Sequence, residues 1–71
     1  FMEHHAQKFA ERLEREVPDD PAAQTRRAFA LAFSRPATRE EIQFGQQQID
    51  DHGLMQFCLV LLNANEFLYV D

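Results

Sequence analysis

Leu54–Asp71, LMQFCLVLLNANEFLYVD, is the most apolar run of the chain. Placed on a helix at about 100° per residue, its first half shows one polar side, made by Gln56 and Asn63. Leu54, Met55, Phe57, Cys58, Leu61 and Leu62 cover the opposite side, and Leu59 and Val60 widen it on both flanks. An apolar arc that wide belongs to a helix contacted from several directions. The stretch is therefore expected to be the central element of a small all-α bundle of four short helices.

Upstream, three weaker amphipathic segments supply the partners. In Phe1–Val17, Met2, Ala6, Phe9, Ala10, Leu13 and Val17 recur at helical spacing, while Glu3, Gln7, Glu11, Glu14 and Arg15 take the other side. Glu11 and Arg15 have the favourable acidic-first i,i+4 order. Pro18 ends this helix by disfavouring helical geometry at Val17. Asp20 is a capping residue and Pro21 suits the first helical position, where a missing N–H costs nothing. That second helix runs to about Phe33, with Thr25, Ala28, Phe29, Ala32 and Phe33 on one face. Its alanines permit close approach of a neighbour.

After the Ser34–Ala37 linker, Thr38 and Glu41 have the spacing of a capping box. The third helix, about Arg39 to Asp51, has a thin apolar stripe of Ile42 and Ile49. Gly45 lies between them, which suggests close backbone approach to another helix, since a helical Gly otherwise costs about 1 kcal/mol against Ala. Phe44 projects to nearly the opposite side, to be covered by another element or left for a partner. Gly53 is expected to end the helix in left-handed geometry. The last helix is expected to stop near Asn63 or Asn65, with a short C-terminal turn carrying Phe67 and Tyr69 folded back on the bundle. The expected core comprises Phe9, Leu13, Ala28, Phe29, Ala32, Phe33, Ile42, Ile49, Leu54, Phe57, Cys58, Leu61, Leu62 and Phe67.

Composition sets further bounds. Seventy-one residues make one domain at most, and at that size a stable core needs dense packing, a staple or a partner. Seven Phe and one Tyr make dense packing plausible. The single cysteine, Cys58, excludes an internal disulfide and a multi-cysteine metal or haem-attachment site. A net charge of -5 argues against a nucleic-acid surface, which needs clustered Lys and Arg. No apolar run reaches the roughly 18 residues of a membrane span. The chain opens on Phe1 rather than Met, so it is expected to be a fragment of a larger protein.

No catalytic constellation is readable. His4 and His5 are adjacent, hence about 100° apart on a helix, and do not converge as zinc ligands must. Asp50, Asp51 and His52 read as a last helical turn rather than a metal site. Cys58 sits among leucines, where a thiol is a buried packing residue rather than a nucleophile. Arg26 and Arg27 read as a solvated face, or as partners for Asp19, Asp20 or Glu66. Asn63, Asn65 and Glu66 read as a helix-end capping set, with ligand binding as the alternative.

Three pieces of sequence carry a resemblance. They are Asp19–Gln24 leading into Arg27–Phe33, then Ser34–Glu41, and the terminal Leu61–Asp71 with its Asn63-Ala64-Asn65-Glu66-Phe67 run. Together they resemble the extreme C-terminus of large planctomycete-type cytochrome c domain-containing proteins, within a C-terminal domain of unknown function. The resemblance implies a parent exported to the periplasm or beyond. The Cys-x-x-Cys-His haem motif of the full-length proteins is absent here, so no cofactor is carried over.

The resulting expectation is a non-catalytic helical module that packs on, or mediates interaction within, a larger exported cytochrome c-associated protein. The alternative is an accessory part of an enzyme of polysaccharide breakdown or electron transfer. The expected partner is the rest of the parent chain, or a second copy in a homodimer, with no nucleic acid and no membrane span. Phe44, Leu59, Val60, Asn63, Asn65, Glu66 and Tyr69 are the candidate interaction or capping residues, with no catalytic and no metal residue named.

Overall fold

The computed structural model describes the backbone of residues 2–70 and the side chains of residues 4–64. Four helices follow in order: α1 (Met2–Glu16), α2 (Pro21–Phe33), α3 (Arg39–His52) and α4 (Leu54–Val70), and the described residues contain no strand. The radius of gyration is 11.0 Å, close to the roughly 11 Å that packed chains of this length show, so the four helices form one body.

Local chemistry explains where the helices begin and end. Asp20 has extended geometry and its Oδ1 accepts from the Ala23 amide at 3.1 Å, with Pro21 at the start of α2. At α3 the capping box is complete. Thr38 Oγ1 accepts from the Glu41 amide at 3.1 Å, and Glu41 Oε1 accepts from the Thr38 amide at 2.8 Å. Ser34 closes α2 with a left-handed φ of 56°, donating its amide to Ala30 at 3.0 Å. Gly53 ends α3 and donates to the Ile49 carbonyl at 2.9 Å. Its φ of 91° and ψ of 160° are not the left-handed helical pair but a more extended geometry almost confined to glycine.

α4 does not stop near Asn63 or Asn65, and no C-terminal turn folds back within residues 54–70. The helix continues to Val70, because no Gly or Pro follows Gly53 and Ala64, Glu66 and Leu68 are good helix formers. Asn63 and Asn65 are therefore interior helix positions rather than a cap.

The core is made of Ala6, Leu13, Ala28, Phe29, Phe57, Cys58 and Leu61. Phe57 and Cys58 of α4 are fully buried, as expected, but Met55 is 38% exposed rather than part of the apolar side. Phe9, Phe33, Ile49, Leu54 and Leu62 are half-buried around the core, as is Leu59. The Phe67 side chain lies outside the described ones. α4 contacts each of the other helices, but so does α2; α1 and α3 flank this central pair. Phe29 and Phe57, ring centroids 6.4 Å apart, join the two central helices.

Two polar residues sit inside. Gln24, 3% exposed, donates from Nε2 to the Val17 carbonyl at 2.9 Å and to Glu14 at 3.2 Å, tying the end of α1 to α2. Thr25, 0% exposed, donates its hydroxyl to the Pro21 carbonyl at 2.8 Å, and its side chain packs on Gly45 of α3. A Cβ added to Gly45 would lie 2.8 Å from Thr25 Cβ, with the rest of that side chain closer still. The close approach expected of Gly45 is thus real, and α2 is the helix approached.

Gly45→Ala should therefore destabilise the chain by about 1–3 kcal/mol through overpacking, although alanine is the better helix former by about 1 kcal/mol. Thermal unfolding checks this; an unchanged or raised Tm would show that the two helices are not in contact at Thr25.

Candidate functional site

Among the described residues, an apolar groove has a cavity volume of about 570 Å³. α2 contributes Phe29 and Phe33, α3 contributes Glu41 and Phe44, and α4 contributes Val60, Leu61 and Ala64, with Arg35 of the linker at one wall. Phe44 is 45% exposed and Val60 41% exposed. Both were singled out from the sequence as interaction residues, and the fold brings them to one depression.

Phe44 faces outward for a geometric reason. Adjacent helical residues point about 100° apart. Seating Gly45 against Thr25 turns Phe44 out of the α2–α3 contact. Val60 takes the outer edge of α4 because Phe57 and Leu61 occupy the inner one.

Arg35 shapes the wall. Its Nη1 donates to Glu41 Oε1 at 2.8 Å and its Nη2 to Glu41 Oε2 at 2.7 Å, a bidentate pair. Nη1 also reaches the Pro36 carbonyl at 3.1 Å. The guanidinium carbon lies 5.7 Å from the Phe29 ring centroid and 5.6 Å from that of Phe33, within cation–π range. Phe29 and Phe33 are themselves 5.4 Å apart. Glu41 thus performs three tasks: it closes the cap of α3, holds the linker, and keeps Arg35 over the rings. The Arg35 hydrogen bonds, with that of the Thr38 amide, bring the Glu41 carboxyl down to about 2. The Arg35 guanidinium is shifted upward by the same pair.

Thr38 and Glu41 were legible in the sequence as a cap, but Arg35 was not. Its spacing of six residues to Glu41 crosses a linker, so no helical rule connects them. Arg26 lies on a solvated face, as expected, whereas Arg27 pairs with neither Asp19 nor Asp20. Arg27 Nε meets Glu16 Oε1 at 2.9 Å, bridging α2 to α1. Arg12 Nε reaches the other oxygen of Glu16 at 2.9 Å, so the i,i+4 pair formed in α1 is Arg12–Glu16 rather than Glu11–Arg15 among the described residues. Arg12 and then Arg27 hold the Glu16 carboxyl below its usual range. Arg26 is exposed beside a second cleft of about 540 Å³ near Ser34 and Pro36.

The other candidates are not brought together. Leu59 packs on the core side of α4 and Asn63 is exposed. The side chains of Asn65, Glu66 and Tyr69 lie outside the described ones. Among the described residues no three His, Cys, Asp or Glu side chains gather as a metal would require, and no helix is long and apolar enough to cross a membrane. Cys58 is fully buried, and burial pushes its thiol up to about 12. Comparison with known protein families, curated proteins and solved structures finds no match.

Two outcomes follow from this chemistry. The thiolate is the nucleophile, and raising the Cys58 thiol from 9.0 to about 12 cuts its thiolate fraction at pH 8 roughly a thousandfold. Iodoacetamide at that pH should alkylate the native chain at least about a hundredfold more slowly than the urea-unfolded chain; comparable rates would place Cys58 at the surface. The lowered Glu41 carboxyl stabilises the fold in its ionised form. Its contribution is complete above the ordinary 4.5 and is lost as pH falls through about 2. Glu41→Gln should thus lower stability near neutral pH, by about 1 kcal/mol on the scale of a helix cap. The difference from the native chain should shrink between those two pH values; an equal difference at pH 7 and pH 2 would contradict the pairing.

Proposed function

We propose that this chain is a non-catalytic helical docking module whose working face is the groove between α2, α3 and α4. The observation that supports this reading is the pairing of Phe44 and Val60, both exposed, over an apolar floor of Phe29, Phe33 and Leu61. A chain this small gains stability from every buried aromatic ring, so a half-exposed Phe in an apolar depression is best accounted for by something that covers it. The rest of a larger protein or a separate partner would bury the groove. The terminal Asn63–Phe67 run suggests the same role at the end of an exported cytochrome c-associated protein. This part of the reading rests on sequence resemblance alone.

Covalent footprinting tests the reading. Hydroxyl radicals oxidise exposed Phe and Met side chains, and Met55 lies on a different side of α4 from Val60, about 140° away round the helix. In cells making the natural protein, Phe44 should be several-fold protected relative to the purified chain, while Met55 stays reactive. Equal reactivity of Phe44 in both settings would mean that the groove is left open and that docking is not its role.

A further inference from the structure

Every charge on the groove's described lining is already answered. Arg35 and Glu41 are the charged residues there, and they hold each other by two bonds of 2.8 and 2.7 Å. A carboxylate or phosphate entering the groove would have to take Arg35 from Glu41, and an ammonium would have to take Glu41 from Arg35. A bidentate, charge-assisted pair resists both. An ion that left the pair intact would give up its water to an apolar lining and gain no counter-charge. The rest of the described lining is aliphatic or aromatic. Phe29 and Phe33 of α2, ring centroids 5.4 Å apart, and Phe44 of α3 bring three rings to it.

The described walls are also short. They run from Phe29 to Phe33 on α2, Glu41 to Phe44 on α3 and Val60 to Ala64 on α4, each about one helical turn, or about 5–6 Å. A partner helix seated in a groove spreads its anchors over about two turns, roughly 10 Å. The volume of about 570 Å³ instead falls within the range of small-molecule sites, roughly 300–1,000 Å³. Such sites are likewise mostly apolar with a few fixed polar groups.

From this we infer that the groove binds a compact, uncharged aromatic molecule. Its rings would pack offset or edge-on against Phe29, Phe33 and Phe44, with Val60 and Leu61 on the opposite side. Arg35, its guanidinium carbon 5.7 and 5.6 Å from the Phe29 and Phe33 centroids, bounds the site. The inference goes beyond the docking reading and does not rest on it. Such a molecule binds the isolated chain, and it would compete with a protein partner for the same space.

The test uses two fluorescent probes on the purified chain: phenylnaphthylamine, which is uncharged, and anilinonaphthalene sulfonate, the same rings with a sulfonate added. Both are titrated in about 0.5 M salt, which screens long-range repulsion from the net charge of -5. The uncharged probe should bind saturably, at least about tenfold more tightly than the sulfonate. Phe44→Ala should weaken it about tenfold, since a stacked ring is lost, and Val60→Gln should weaken it in the same direction. Both residues are exposed, so the Tm of each variant should stay near that of the native chain. Met55→Gln, on another side of α4, should leave binding unchanged. Absence of saturable binding, equal or tighter binding of the sulfonate, or a loss at Met55→Gln as large as at Phe44→Ala would overturn the inference. Protection of Phe44 in cells without probe binding would keep the docking reading and remove the ligand site. Probe binding with Phe44 unprotected in cells would do the reverse.

Discussion

The contact between Thr25 and Gly45 governs the rest of the structure. A helix presents one narrow side to each neighbour, and residues next to each other in sequence cannot share it. Once Gly45 faces the fully buried Thr25, Phe44 must face elsewhere, and the elsewhere is the groove. A larger residue at position 45 would move α3 away from α2 and change the wall that Phe44 forms. The small side chain at one position thus determines the exposure of the large one beside it.

A second constraint holds the groove's other edge. The linker from α2 to α3 is short, and Arg35 is anchored in it by the same carboxylate that caps α3. Exposed ion pairs contribute little to stability in isolation. Here the bidentate geometry, the cap and the two rings beneath Arg35 share one set of atoms, so the pair acts mainly on shape. It defines where the apolar floor of Phe29 and Phe33 ends and solvent begins. Glu16 plays a comparable part at the opposite end, where Arg12 and Arg27 converge on it from α1 and α2.

What was legible in the sequence was local. Asp20 with Pro21, Thr38 with Glu41, and Gly53 each announce a helix boundary because capping depends on fixed short spacings. The apolar face with Thr25 and Phe29 was readable from helical periodicity, and so was the outward turn of Phe44. The unread features depend on contacts across helices or linkers. Arg35 reaches Glu41 around a turn, Arg27 finds Glu16 eleven positions away, and Gln24 is buried by bonds to the end of α1. The length of α4 was misread for a different reason: asparagines at 63 and 65 look like an end, yet nothing after them forbids another turn. Of the site, Phe44 and Val60 could be named in advance, but that they share one depression could not.

The most direct test of this account is a nuclear Overhauser spectrum of the chain in solution, asking which neighbour meets the Thr25 methyl group. The account predicts strong cross-peaks from that methyl to the Gly45 α-protons and none to the Phe44 ring. Cross-peaks from the Thr25 methyl to the Phe44 ring, with Gly45 free of it, would mean that α3 is rotated and that the groove does not exist as described.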